Sequence, residues 1–431
     1  MKLCVHEMVE VKKINWESMR KVLNGEDSLL VNSFFLFAIL MFSSGFGFVV
    51  WLAVSRLYPP DEVGLATTVI STSQFLTGLA GLGLGMGLIK FLPAAEEPER
   101  MVNTALVFTV GVSILASLVY VLGAPLWSPS LAAMGSRGRF LFAFVLCAPV
   151  FGANSLMQMV FQALRQSKYG FWMVVITNLL RLVLTLLLVS WGAMGIIAAM
   201  LMGMFLSVLV GAFIFFPRLL PGYHFGAVWD IPTLKQVIPF SFGVHLALQA
   251  YQVPLLLTPL LVLERFGPAY SANAYIAWML GSLIASAGQA IAGSAFAEGS
   301  HDADGFSPVF NRSLRLSLWI TCGLSVLLGL SAPWVLLVFG KAYQYAVPLL
   351  VWMALAAPFV SLNRIYFTRM QVEHQLKWLI ALSVTSTAVF LLVFYLTVSQ
   401  WELKSVGIGW LISQVIVSVL CFGVGRKGRR V

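Results

Sequence analysis

Apolar residues fall along this chain in long runs, not in the alternating or one-faced patterns of a water-soluble fold. A helix needs about 20 such residues to cross the hydrocarbon of a bilayer. That ruler predicts twelve spans: Leu29–Leu57, Val63–Leu92, Val102–Ala124, Arg139–Leu164, Tyr169–Trp191, Gly192–Phe216, Leu234–Leu263, Ala269–Phe296, Val309–Ala332, Tyr345–Met370, Leu376–Val398 and Val406–Val424. The polar intervals are short, the longest being Pro217–Thr233, Pro125–Gly138 and Ala297–Pro308, which leaves no room for a catalytic domain.

Composition agrees with the pattern. Of 431 residues 59% are hydrophobic and 10% charged, with a mean hydropathy of +0.90. A surface with so few charges cannot be covered in water, which excludes disorder, a secreted disulfide scaffold and a free cytosolic enzyme. The four cysteines, Cys4, Cys147, Cys322 and Cys421, show no pair or metal spacing. No cofactor is expected, and no nucleic acid: the net charge of +10 is spread over loops and not gathered into a basic run with aromatics.

Nineteen Lys and Arg fall on one side of the predicted spans, six on the other and two, Arg181 and Arg364, inside them. The bias predicts a multi-pass protein of the cytoplasmic membrane with both termini in the cytoplasm. Residues 1–28 lack the pattern of a secretory signal and form a cytoplasmic or interfacial segment, with Met8, Val11, Ile14, Met19 and Val22 able to share one helical face.

The two halves match at a shift of 209 residues. Arg56 aligns with Arg265 and Pro59 with Pro268, while Ala148, Pro149, Asn154, Gln162, Gln166 and Lys168 align with Ala357, Pro358, Asn363, Gln371, Gln375 and Lys377. Six identities in 21 positions exceed the roughly one or two expected of unrelated helices. The shift spans six helices, an even number, so the copies share one orientation. The predicted fold is an all-α polytopic membrane protein of two six-helix lobes, 29–217 and 234–425, with a cytoplasmic linker 218–233 and a basic tail 426–431. Two such lobes enclose a cleft that can open to either side, which points to transport.

Polar residues at helical spacing mark the candidate lining of that cleft. Arg181 shares a face with Thr177, Asn178 and Thr185, and Arg364 sits beside Asn363. Asn154, Gln158, Gln162 and Arg165 form a second stripe, Ser241, His245, Gln249 and Gln252 a third, and Ser282, Ser286 and Gln289 a fourth. Such stripes also serve as glue between transmembrane helices. A guanidinium inside a span is harder to explain by packing, because a charge there is costly. All seventeen Asp and Glu fall in tails, loops or helix ends. A cleft with buried arginine and no buried carboxylate favours an anion, and guanidinium grips phosphate oxygens two at a time. No phosphate-binding loop of ATPase type occurs, and Gly78, Gly81, Gly83, Gly85 and Gly87 read as a bend or close-packing surface within a span.

The stretch Gly47–Pro93 carries Ser55-Arg56, Pro59-Pro60, Asp61-Glu62-Val63-Gly64 and Lys90-Phe91-Leu92-Pro93. It resembles the signature region of Wzx-type polysaccharide flippases of the multidrug/oligosaccharidyl-lipid/polysaccharide exporter superfamily, with Ser55 in place of the usual Ala and Lys90 in place of a common Arg. The resemblance implies inverted-V lobes and movement of a polyprenyl-diphosphate-linked oligosaccharide from the inner to the outer leaflet, with no bond made or broken. On this reading Arg181, Arg364, Arg56, Lys90 and Arg265 would hold the diphosphate. Asn154, Gln158, Gln162, His245, Gln249 and Gln252 would meet sugar hydroxyls. The partners expected are the lipid-linked oligosaccharide, membrane lipids and glycan-assembly proteins. A multidrug exporter of the same fold and a lipid II flippase stay open as alternatives. A membrane-bound polymerase or ligase is disfavoured by the short loops.

Overall fold

The computed structural model describes residues 28–133, 137–220, 222–226, 228–301, 306–373 and 375–427. The predicted interfacial segment, but for Ser28, and the basic tail beyond residue 427 lie outside the described residues.

Among the described residues all regular structure is helical, and twelve helical stretches are long and apolar enough to cross a membrane. Span one is α1 (Ser28–Leu57). Span two is broken into α2 (Pro60–Ala80) and α3 (Leu84–Phe91). Spans three to six are α4 (Pro98–Trp127), α5 (Arg137–Ala163), α6 (Ser167–Leu187) and α7 (Ala193–Val210), which runs on to Leu219 through a π-helical turn. Spans seven to twelve are α8 (Ile231–Phe266), α9 (Pro268–His301), α10 (Phe306–Phe339), α11 (Val347–Val372), α12 (Leu376–Trp401) and α13 (Lys404–Lys427). Leu122, Leu126 and Trp319 lie on the outside, as a hydrocarbon solvent requires. We call the face where α1 begins and α13 ends the near face, and the opposite one the far face.

The structure departs from the predicted spans at prolines and glycines. Span nine continues past Ala332 to Phe339 with Pro333 inside it, and span three runs to Trp127 with Pro125 inside it. Proline is tolerated in a membrane helix where neighbouring groups satisfy the freed backbone. The second span breaks because Leu82 and Gly83 take left-handed φ angles of 44° and 83°. Its glycines also pack closely: a Cβ on Gly83 would lie 2.9 Å from the Ser241 carbonyl oxygen, and one on Gly87 2.3 Å from Val237.

The 209-residue repeat is physical. In the first half, span one packs on five, two on four, three on four, four on six and five on six; the same partners recur six spans later. Pro149 and Pro358 lie inside their helices. Asn154 of span four donates to Ser207 of span six, and Asn363 of span ten donates to Gln414 of span twelve. Even a backbone turn is copied: Gln166 N donates to the Phe161 carbonyl, and Gln375 N to that of Met370.

The lobes meet chiefly through α2 and α3 against α8 and α9. At the far face the contact is backbone on backbone. A Cβ on Gly64 would fall 1.8 Å from the Pro268 carbonyl oxygen. Asp61 accepts the Ala269 N–H at the start of α9 across the lobes, and the Thr68 and Ser271 hydroxyls lie 3.0 Å apart. The Asp-Glu pair of the sequence motif thus sits at helix N-termini, where carboxylates are favoured: Glu62 accepts the Ala193 N–H at the start of α7.

Candidate functional site

Between the lobes lies a cavity of about 950 Å³. It is displaced toward the near-face half, because α2 meets α9 directly at the far face. The break at Leu82–Gly83 places α2 and α3 along one wall, and the kinked α5 and α11 place polar residues on facing sides. Gln74, Thr77, Asn154 and Gln158 come from the first lobe; His245, Gln249, Gln252, Ser282, Ser286, Gln289 and Arg364 come from the second. Ser282 and Gln289 are exposed, so the chamber communicates with its surroundings.

Several lining groups are fixed by hydrogen bonds. His245 Nε2 donates to the Gly78 carbonyl at 2.7 Å, Gln158 Nε2 to that of Gly170 at 3.1 Å, and Thr77 Oγ1 to that of Ala148 at 2.9 Å. Gln249 Oε1 is buried without a partner among the described residues.

Arg364 provides the chamber's arginine charge. Its guanidinium carbon lies 4.4 Å from the centre of the Tyr251 ring, a cation–π contact. The Tyr251 hydroxyl donates to Gln414 Oε1, and Asn363 Nδ2 donates to that same oxygen at 2.9 Å. The platform under Arg364 is therefore tied to three spans. Among the described residues that line the chamber there is no Asp or Glu.

The other cations predicted for a diphosphate site are not brought together with Arg364. Arg181 is buried outside the chamber, its guanidinium carbon 5.0 Å from the Trp51 ring centre. Arg56 lies at the far-face end of α1 and donates to the carbonyls of Val338 and Leu337 at the end of α10, capping a helix of the other lobe. Arg265 is exposed at the far-face end of α8. Lys90 lies at the near-face end of span two, its ammonium 3.7 Å from the Phe240 ring centre. With about 30 helical residues between them, Arg56 and Lys90 are roughly 40 Å apart in depth and cannot grip one diphosphate together. Of the residues predicted to meet sugar, Asn154, Gln158, His245, Gln249 and Gln252 line the chamber, whereas Gln162 does not.

The structure adds an aromatic wall that the polar stripes do not reveal. Tyr251, Trp278 and Trp410 line the chamber, with Trp278 and Trp410 ring centres 5.2 Å apart. All three are buried, at 4%, 6% and 8% exposed, so they bound the chamber as packed side chains. Aromatics are common throughout these helices, so nothing in their spacing singled out these three.

The family model described as "Polysaccharide biosynthesis protein" matches residues 29–295. No curated protein matches the sequence. Among solved structures, an inward-facing multidrug resistance MATE family transporter of the MOP superfamily superposes with a TM-score of 0.70 at 15% identity, over 90% of this chain and 94% of that one. The lipid II flippase MurJ in an inward closed conformation gives a TM-score of 0.74 at 12% identity, over 92% and 87%. An outward-facing MATE transporter of the same superfamily gives 0.61 at 17% identity, over 94% and 97%. The chain thus shares their two-lobed fold.

Proposed function

Because the chain belongs to the polysaccharide biosynthesis protein family, we propose that it is a flippase for a polyprenyl-diphosphate-linked oligosaccharide, moved from the inner to the outer leaflet by alternating access. The observation that carries this reading is Arg364 in a polar, aromatic chamber that, among the described residues, is lined by no carboxylate. A guanidinium in such a setting favours an anionic cargo and gives an organic cation no counter-charge. Arg364 would hold the diphosphate. Gln158, Gln249 and Gln252 would exchange hydrogen bonds with sugar hydroxyls, and the polyprenyl tail would stay in lipid.

On this proposal the near face is cytoplasmic, which agrees with the excess of Lys and Arg on that side. The protein would act in the cytoplasmic membrane, taking its cargo from glycan-assembly proteins at the inner leaflet. The test is leaflet-resolved transport in proteoliposomes. A defined polyprenyl-diphosphate sugar should cross with the wild-type protein and cross much more slowly with Arg364→Gln. Equal transport by both would remove the reading.

A further inference from the structure

A second buried arginine has no role in the chamber as it stands. Arg181 is 7% exposed, and its Nη2 has no hydrogen-bond partner among the described residues. The hydroxyls of Thr177 and Thr185, one turn to either side on the same face of α6, are likewise buried and unpartnered. Unmet donors of this kind are those an anion satisfies. The carboxylate of Glu62, in the first turn of α2 at the far face, is already engaged by the Ala193 N–H at the start of α7.

What covers Arg181 comes from both lobes. Trp51 of α1 lies under its guanidinium, and Tyr275 of α9 lies against Trp51 with ring centres 4.6 Å apart. All three sit at one depth: Arg181 is six residues from the far-face end of α6, Trp51 six from that of α1, and Tyr275 seven beyond the start of α9. One turn farther out lie Ser271 against Thr68, and then Pro268 against Gly64. The contacts that must part when the far face opens are thus continuous with the contact that hides Arg181. Arg364, in the other lobe, lies about 10–15 Å nearer the near face by helical rise.

We infer that Arg181 is a second, alternately exposed anion-binding group: closed behind Trp51 and Tyr275 in this conformation, it opens to the chamber when the far-face contacts separate. The anion class is a phosphate or diphosphate, met first by Arg364 and then, at greater depth, by Arg181. The inference rests on the transport reading for its two conformations but not for the identity of the cargo.

The test uses the full chain with its four native cysteines replaced, and a thiol reagent that does not cross membranes. Thr185→Cys should resist labelling in this background and become at least tenfold more reactive from the far side when Gly64→Leu loosens the far-face contact, with a smaller rise of up to about fivefold for Arg56→Ala. Ser271→Cys reports independently that this contact has opened. Inorganic pyrophosphate should then protect Thr185→Cys from labelling, and Arg181→Gln should abolish the protection while Arg181→Lys keeps part of it. If Ser271→Cys becomes reactive while Thr185→Cys does not, the inference is overturned. Protection that survives Arg181→Gln overturns it equally. Failure of glycolipid transport with this labelling pattern intact would remove the cargo reading and leave the site standing.

Discussion

The Arg364 guanidinium lies 4.4 Å above the Tyr251 ring, so the arginine charge of the chamber is held by one span against the aromatic face of another. Losing the charge and losing the platform should be separable. Arg364→Gln should lower the rate of lipid-diphosphate flipping on the order of 10–100-fold, equivalent to about 1.4–2.7 kcal/mol. Tyr251→Leu should weaken flipping less, because the charge persists in a looser position. Tyr251→Phe, which keeps the ring and removes the hydroxyl that bonds Gln414, should be milder still. The same proteoliposome assay ranks all three, and an inverted order would contradict the placement of charge at Arg364.

Gly64 admits no side chain beside Pro268. Gly64→Ala and Gly64→Leu should shift the conformational balance toward an open far face by at least tenfold, about 1.4 kcal/mol. Hydrogen exchange should rise in the first turns of α2 and α9 and stay unchanged at the near-face end of α3. Uniform exchange along both helices would indicate global loosening instead.

Arg56 caps α10 across the lobes from an exposed position, so its removal should be mild. Arg56→Ala should lower stability by about 1 kcal/mol or less and favour the same open state as Gly64→Ala. A loss of substrate affinity with no change in exchange at the far face would assign Arg56 to cargo instead.

Asn363 is fully buried; its amide donates to the backbone and side chain of Gln414, and its Oδ1 accepts from Ser418. Asn363→Ala removes those bonds, while Gln414 Oε1 keeps its bond from Tyr251 and Ser418 keeps the Gln414 carbonyl; it should cost about 1–2 kcal/mol, read as a lowered midpoint of thermal unfolding in detergent. Its repeat partner Asn154 makes one such bond, to Ser207. Asn154→Ala should therefore cost less, about 0.6 kcal/mol.

The architecture was legible because lipid imposes it: only long apolar helices satisfy their backbone in hydrocarbon, and the repeat survives at polar positions such as Asn154/Asn363 and Gln166/Gln375, where chance matches are few. The helical stripes also showed which residues could share a face, and Asn154, Gln158, His245, Gln249, Gln252 and Arg364 line one chamber from its two sides. Periodicity gives the polar face of a helix but not what covers it. Arg181 shares its face with Thr177 and Thr185 as read from spacing, yet Trp51 and Tyr275, from distant parts of the chain, close over it. Arg56 carries the same lesson, since the carbonyls it caps lie more than 280 residues away. Gln162 continues the stripe of Asn154 and Gln158 but lies beyond the chamber's end. Lys90 and Arg265 belong to helix ends, where a cation is at home for reasons of its own.

The near-face displacement of the chamber has an electrical consequence. On the proposed transport reading, water filling the chamber from the near side would bring that solution's potential deep into the protein, so in a polarised membrane the voltage would fall mainly across the plug from Trp51 and Tyr275 to Gly64 and Pro268. At about 2.3 kcal/mol per elementary charge per 100 mV, an anion crossing that plug, or a guanidinium shifting within it, would feel nearly the whole field over a few helical turns.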